Sequence, residues 1–165
     1  MSTFPYDRSA ALAYAARWAY DRNPRFTDFA LLGGDCTNFI SQCLLAGGGV
    51  MDPRETFGWY YVSLHRRAPA WSGVPYLWNY LTSSHERGPY GHAVQPEQLE
   101  LGDIIQLGDG NGRFYHSLLV TRLQGNPLSP SISVTTHDQD AHQRPLSSYI
   151  FKEMRCLHID GVKNA

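Results

Sequence analysis

Gly33-Gly34-Asp35-Cys36-Thr37-Asn38-Phe39-Ile40-Ser41-Gln42-Cys43-Leu44 is the stretch on which the reading of this chain turns. Cys36, Phe39, Ile40, Cys43 and Leu44 form one apolar stripe at helical spacing, so a helix is predicted from Asp35 to Leu45, stopped by Gly47-Gly48-Gly49. Cys36 therefore opens a helix. Unpaired N–H groups at such a start lower a thiol's pKa and can hold a developing oxyanion. Gly33 and Gly34 let the backbone turn sharply ahead of the sulfur, and Asp35 stands at the N-cap position. The plainer alternative is that Cys36 is a small apolar residue at the head of a core stripe.

Outward from this stretch, Asp7 to Asp21 reads as an alanine-rich helix closed by Asn23-Pro24. Residues 50–94 carry Trp59, Trp71 and Trp78 among several prolines. They read as long ordered loops with a short helix at Trp78–Leu81, and as the expected wall of a substrate groove, with Trp71 as a substrate-binding candidate. From residue 99 the pattern becomes that of strands: Asp103–Leu107, Phe114–Leu123, Ile132–Thr136 and Tyr149–Leu157, with a Gly-rich turn at 108–112. Helices first and an antiparallel sheet second is the α+β arrangement, expected as one domain over residues 1–165.

A thiol nucleophile needs a base. Of the seven histidines, His116 projects from the start of a strand, on a face shared with Phe114, Leu118 and Val120 that is expected to pack against the cysteine helix. The alternative is a satisfied, partly buried histidine. A third group that orients the imidazole is sought at the end of the next strand, in Thr135-Thr136-His137-Asp138. Strict alternation places Asp138 with Val134 and Ile132, and His137 with Ser133 and Thr135, so the residues alone leave His137 and Asp138 both open. His137, Asp138, Asp140 and His142 also raise a metal site, but their spacing matches no familiar zinc or calcium motif. No metal and no cofactor is expected.

The bulk properties narrow the classes. The net charge is −1, which implies no field suited to nucleic acid or an anionic membrane. Hydrophobic residues make up 42% of the chain, enough for a packed core. Three cysteines are an odd count, and Cys36 and Cys43 lie about 10 Å apart along a helix, too far to bridge. No signal-like or membrane-spanning run is evident, so a cytoplasmic location is the default expectation.

The Gly33–Leu44 run resembles the signature of the bacterial putative amidase domain family. Tyr6-Asp7-Arg8-Ser9-Ala10-Ala11, Leu101-Gly102-Asp103-Ile104-Ile105-Gln106, His116-Ser117 and His137 followed by Arg144-Pro145-Leu146 extend the resemblance over nearly the whole chain. That family is similar to the NlpC-type and CHAP-type cysteine peptidases of bacterial cell walls. The resemblance implies a papain-like cysteine hydrolase core, with Cys36 as nucleophile, His116 as base and His137 as third member, and Asp35 beside the substrate. It also implies amide hydrolysis through a thioester, on a peptide or peptidoglycan-like substrate. No glutamine precedes Cys36 as it does in papain, so an oxyanion hole would fall to backbone N–H groups. Acyl transfer from the same thioester, or a binding module that uses the tryptophans, are the alternatives.

Overall fold

The computed structural model describes residues 2–165. Helix α1 (Arg8–Trp18) is capped by Asp7, whose carboxylate accepts from the Ala10 N–H, and it buries Ala11 and Ala15. Helix α2 (Cys36–Gly48) starts at the cysteine and runs three residues past its predicted end, closing on Gly49 in the left-handed conformation (φ 71°). Ten of its 13 residues are buried, so it is enclosed all round rather than amphipathic.

Enclosure forces the polar residues of α2 to find partners inside. Asn38 accepts from the Trp71 indole at 2.8 Å and donates to the Thr27 carbonyl. Ser41 accepts from the Trp59 indole and donates to the Trp71 carbonyl. Gln42 accepts from Tyr14. The bonds to Trp59 and Trp71 fasten residues 50–94 to α2, and that segment is more regular than its sequence suggests. It forms a small hairpin of β2 (Tyr61–Ser63) and β3 (Arg66–Arg67), helices α3 (Pro69–Ser72) and α4 (Val74–Thr82), and strand β4 (Arg87–Val94). Trp71 is fully buried, stacked on Phe26 and packed beside Trp59, so it belongs to the core and offers no surface to a substrate.

Among the described residues the sheet has seven strands. Besides β4 they are β1 (Ser2–Phe4), β5 (Ile104–Gly108), β6 (Phe114–Asn126), β7 (Ser129–Thr136), β8 (Ala141–Pro145) and β9 (Glu153–Asn164). Its order is β1-β9-β5-β6-β7-β8, with β4 on the other side of β9 and antiparallel pairing throughout. Strand β4 escapes sequence reading because it carries Gly88, Pro89 and Gly91. It pairs only with β9, an edge position where proline is tolerated, and a Cβ at Gly91 would fall 2.1 Å from the His158 carbonyl oxygen. Among the described residues no helix is long and apolar enough to cross a membrane.

The two faces of the sheet bury different clusters. Ile104, Leu119, Leu157 and Ile159 pack with Phe39, Ile40 and Leu44 of α2. Ile105, Leu107, Leu118, Val120, Ile132 and Val134 pack together on the opposite face. His116 alternates with Leu118 and Val120, so its strand face is turned away from α2, contrary to the expectation from the sequence.

Ser41 serves two buried groups at once. Ser41→Ala is expected to cost about 1–3 kcal/mol of stability by leaving the Trp59 N–H unpaired. Urea unfolding checks this, and a loss below about 0.5 kcal/mol would show that the indole finds another acceptor.

Candidate active site

The site is assembled where β7 leaves β6. Pairing of these strands ends at Leu119–Thr135, and the chain then turns through His137–Asp140 into β8. The β6 edge beyond this point is free to receive the start of α2. The Ser117 backbone lies near enough to the Cys36 sulfur to favour its thiolate, Thr136 donates to the Ser117 carbonyl, and the Thr37 and Ser117 hydroxyls lie 2.9 Å apart. Cys36 thus sits against the strand edge, which His116 can reach from the other face of the sheet.

Asp138 and Gln139 both have positive φ, 65° and 60°, in the turn between β7 and β8. Non-glycine residues in this conformation cost about 1–2 kcal/mol each. The strain aims the Asp138 carboxylate at the start of α2, where it accepts from the Asp35 N–H at 2.7 and 2.9 Å and from the Cys36 N–H at 3.1 Å. Gly34 makes room for it, since a Cβ there would lie 2.7 Å from Asp138 Oδ2. The side chain capping α2 is therefore that of Asp138 and not of Asp35.

The Cys36 sulfur, a His116 ring nitrogen and an Asp138 oxygen lie within 4.8 Å of one another. His137 is elsewhere. Its ring stacks on Phe39 with centroids 3.9 Å apart, Nδ1 lies 2.5 Å from Asp35 Oδ2, and Nε2 lies 2.8 Å from the Trp18 carbonyl oxygen. With both ring nitrogens engaged behind α2, His137 does not reach His116. Asp35 is fully buried: it takes His137 on one oxygen and the Phe29 N–H and Asn38 amide on the other, so it braces the loop and does not face a substrate. The signal for Asp138 was present in the alternation that grouped it with Ile132 and Val134, which lie on the same sheet face as Leu118.

An open groove of about 770 Å³ leads to this cluster, walled by Gly34, His116, Asp138, Arg144, Tyr149 and the exposed Ile150 among others. Its walls come from residues 22–34, 107–116 and 138–150, and none from residues 50–94, which line a separate pocket with Phe57 and Tyr76.

The helix start does not acidify the thiol. Burial, with the Asp138 charge adding to it against the Ser117 N–H, pushes Cys36 up to about 12. Burial pushes Cys43 and Cys156 up as well, so partners, not acidity, single out Cys36. Burial holds His116 below the usual histidine value, partly offset by Asp138. The resting pair is therefore a neutral thiol beside a neutral imidazole. The Cys36, Cys43 and Cys156 thiols are all free.

The residues 137–142 do not converge on a cation. Arg22 is already there, paired with Asp140 at 2.8 Å and 3.3 Å from His137 Nε2, while His142 faces Thr135. Likewise the cluster of Glu100, Asp103 and His158 is occupied by the Arg8 guanidinium.

The curated relatives include a Bacillus subtilis (strain 168) protein described as "Uncharacterized protein YhbB". It is 34% identical over 139 residues, which cover 82% of this chain and 43% of that protein. The chain thus spans less than half the length of this relative. No solved structure matches. Residues 5–159 match the family model described as "Putative amidase domain", and this chain belongs to that family.

Proposed function

We propose that the chain is a cysteine-nucleophile amidohydrolase with a papain-like site, in which Cys36 is the nucleophile, His116 the general base and acid, and Asp138 the group that orients His116. The observation that carries this reading is the convergence of Cys36, His116 and Asp138 within 4.8 Å at the first residue of a helix, at the end of an open groove. The family supports amide chemistry in general, and peptide amides of the cell-wall kind are the substrate class favoured by the resemblance of the Gly33–Leu44 run to cell-wall peptidases.

In the proposed reaction the substrate carbonyl enters over Gly34. The Asp138 carboxylate shifts from the Cys36 and Asp35 N–H groups to the ring of His116, and the N–H groups it vacates donate to the carbonyl oxygen as it becomes an oxyanion. The Cys36 sulfur bonds to the carbonyl carbon while His116 removes the thiol proton. His116 then returns this proton to the nitrogen as the C–N bond breaks, leaving a thioester and a free amine. Water attacks the thioester, its proton passing through His116 back to the sulfur. Because thiol and imidazole both start neutral, proton transfer accompanies attack instead of preceding it.

The test is release of new amines from cell-wall muropeptides, followed by mass spectrometry. Cys36→Ala should abolish it, and His116→Ala should slow it by about 10²–10⁴-fold. Amine release that survives Cys36→Ala would overturn the nucleophile assignment.

A second measurement does not need a substrate. With the thiol near 12, labelling of Cys36 by iodoacetamide should rise about tenfold per pH unit from roughly pH 7 to 10 without a plateau. Asp138→Asn should speed it at each pH, because a charge that opposes thiolate formation is gone. A plateau reached by neutral pH would instead reveal a preformed thiolate–imidazolium pair and contradict the neutral resting state.

A further inference from the structure

We infer that Cys36, His116 and Asp138 also form a binding site for one divalent cation of the zinc class, whose occupancy closes the thiol to acylation reversibly. The inference rests on the same three residues as the proposed hydrolase site but not on their catalytic roles. A thiolate, an imidazole and a carboxylate are the ligand types that zinc prefers, and three protein ligands with one open position make a stable tetrahedral arrangement. The three donor atoms are at most 4.8 Å apart, so a point exists within about 2.8 Å of all of them. Zinc bonds of about 2.0–2.3 Å then require an inward shift of under 1 Å per side chain.

The partners of each donor agree with this. Among the described residues, nothing in the protein hydrogen-bonds the His116 ring, although its strand face is packed with apolar residues. The Asp138 carboxylate has about four lone-pair positions and three N–H contacts, so it can keep its hold on the start of α2 and still offer one position to an ion. Among the described residues no guanidinium is bonded to this cluster, although the Arg144 charge reaches His116; in the Glu100–Asp103–His158 cluster, by contrast, Arg8 is already bound to Asp103 at 2.7 Å. The fourth position opens on the groove and would take water or a substrate oxygen. On binding, the Cys36 S–H bond breaks, the sulfur–metal bond forms and the proton goes to solvent, with no change of oxidation state.

The experiment uses the purified chain after chelator treatment. Zn²⁺ affinity is measured by competition with a chromophoric chelator, and Co²⁺ is added separately as an optical probe. One Zn²⁺ per chain is expected, with Co²⁺ giving a thiolate-to-metal charge-transfer band in the near ultraviolet. Cys36→Ser should remove that band, and Cys36→Ser, His116→Ala and Asp138→Asn should each weaken Zn²⁺ binding by tenfold or more. One equivalent of Zn²⁺ should slow Cys36 alkylation at least tenfold, and chelator should restore it. Binding that is undiminished in Cys36→Ser, or no charge-transfer band, overturns the site, and far-ultraviolet circular dichroism of each variant excludes loss of fold as the cause. The two readings fail separately. Cys36-dependent amine release without metal binding leaves the hydrolase alone. Stoichiometric Zn²⁺ that amine release requires, instead of being blocked by it, retains the metal site but overturns its inhibitory role.

Discussion

The contact between the Asp138 carboxylate and the first N–H groups of α2 is the constraint on which the site depends. It joins the turn after β7 to the start of a helix more than a hundred residues earlier in the chain. A helix start leaves donors unpaired and carries a partial positive charge, so a carboxylate is its natural partner, and hydrogen bonds to a charged group contribute about 1.5–3 kcal/mol each. That gain offsets the two left-handed residues at the turn. The strain and the contact are therefore two sides of one device, which sets a carboxylate beside a thiol and an imidazole at the end of a groove. Gly34 is required by the same contact, because any side chain there would occupy the carboxylate's place.

Behind this contact lies a second layer that sequence reading assigned to the chemistry itself. Asp35 and His137 are both fully or nearly fully buried, and they bond to each other. Asp35 also holds the Phe29 N–H and Asn38, and His137 also meets the end of α1 at the Trp18 carbonyl. Arg22 completes the arrangement, with its guanidinium 3.4 Å from Asp35 and paired to Asp140 in the same turn as Asp138. Charged groups this deep survive only when paired and hydrogen-bonded. The effect is to fix the loop before α2 against α1 and the β7–β8 turn, which in turn fixes the direction of Asp138. These residues act on Cys36 through geometry and not by contact with a substrate.

Much of this was legible in the sequence, and the limits have physical causes. The helix at Cys36, its glycine lead-in, the N-terminal alanine-rich helix and strands β5, β6 and β7 follow from periodicity and turn residues. Of residues 50–94 only the short helix at Trp78–Leu81, which is part of α4, was legible, because short helices and an edge strand rich in glycine and proline leave no long period to read. Trp71, a substrate-binding candidate in sequence, is core in the structure together with Trp59, since polar residues of α2 supply the indole partners that burial demands, while Trp78 is only partly buried. His137 and Asp138 illustrate the difference between resemblance and stereochemistry. Resemblance favoured the histidine, but side-chain alternation grouped Asp138 with Ile132 and Val134, and their face of the sheet is also the face of His116. The same alternation misled at His116 only in assuming that the site face must be the helix face. The strand edge left open by the departure of β7 lets the two sides meet, and no local pattern encodes that opening.

The acidity of Cys36 shows why a motif fixes position better than reactivity. A helix start and a nearby imidazole both favour thiolate, and on those terms alone the sulfur would be acidic. Here the thiol is only 4% exposed and has a carboxylate beside it, and desolvation with like-charge repulsion outweighs the Ser117 backbone and the Thr37 hydroxyl, which favour the thiolate. The very groups that would stabilise negative charge on sulfur are spent on Asp138. In the proposed reaction, reactivity is tied to the movement of one side chain: drawing the carboxylate off the Cys36 N–H would relieve the repelling charge, free the donors for an oxyanion and raise the basicity of the imidazole toward which the carboxylate moves. On that proposal a substrate carbonyl entering over Gly34 would meet all three changes together, whereas solvent and small oxidants meet a neutral, covered thiol.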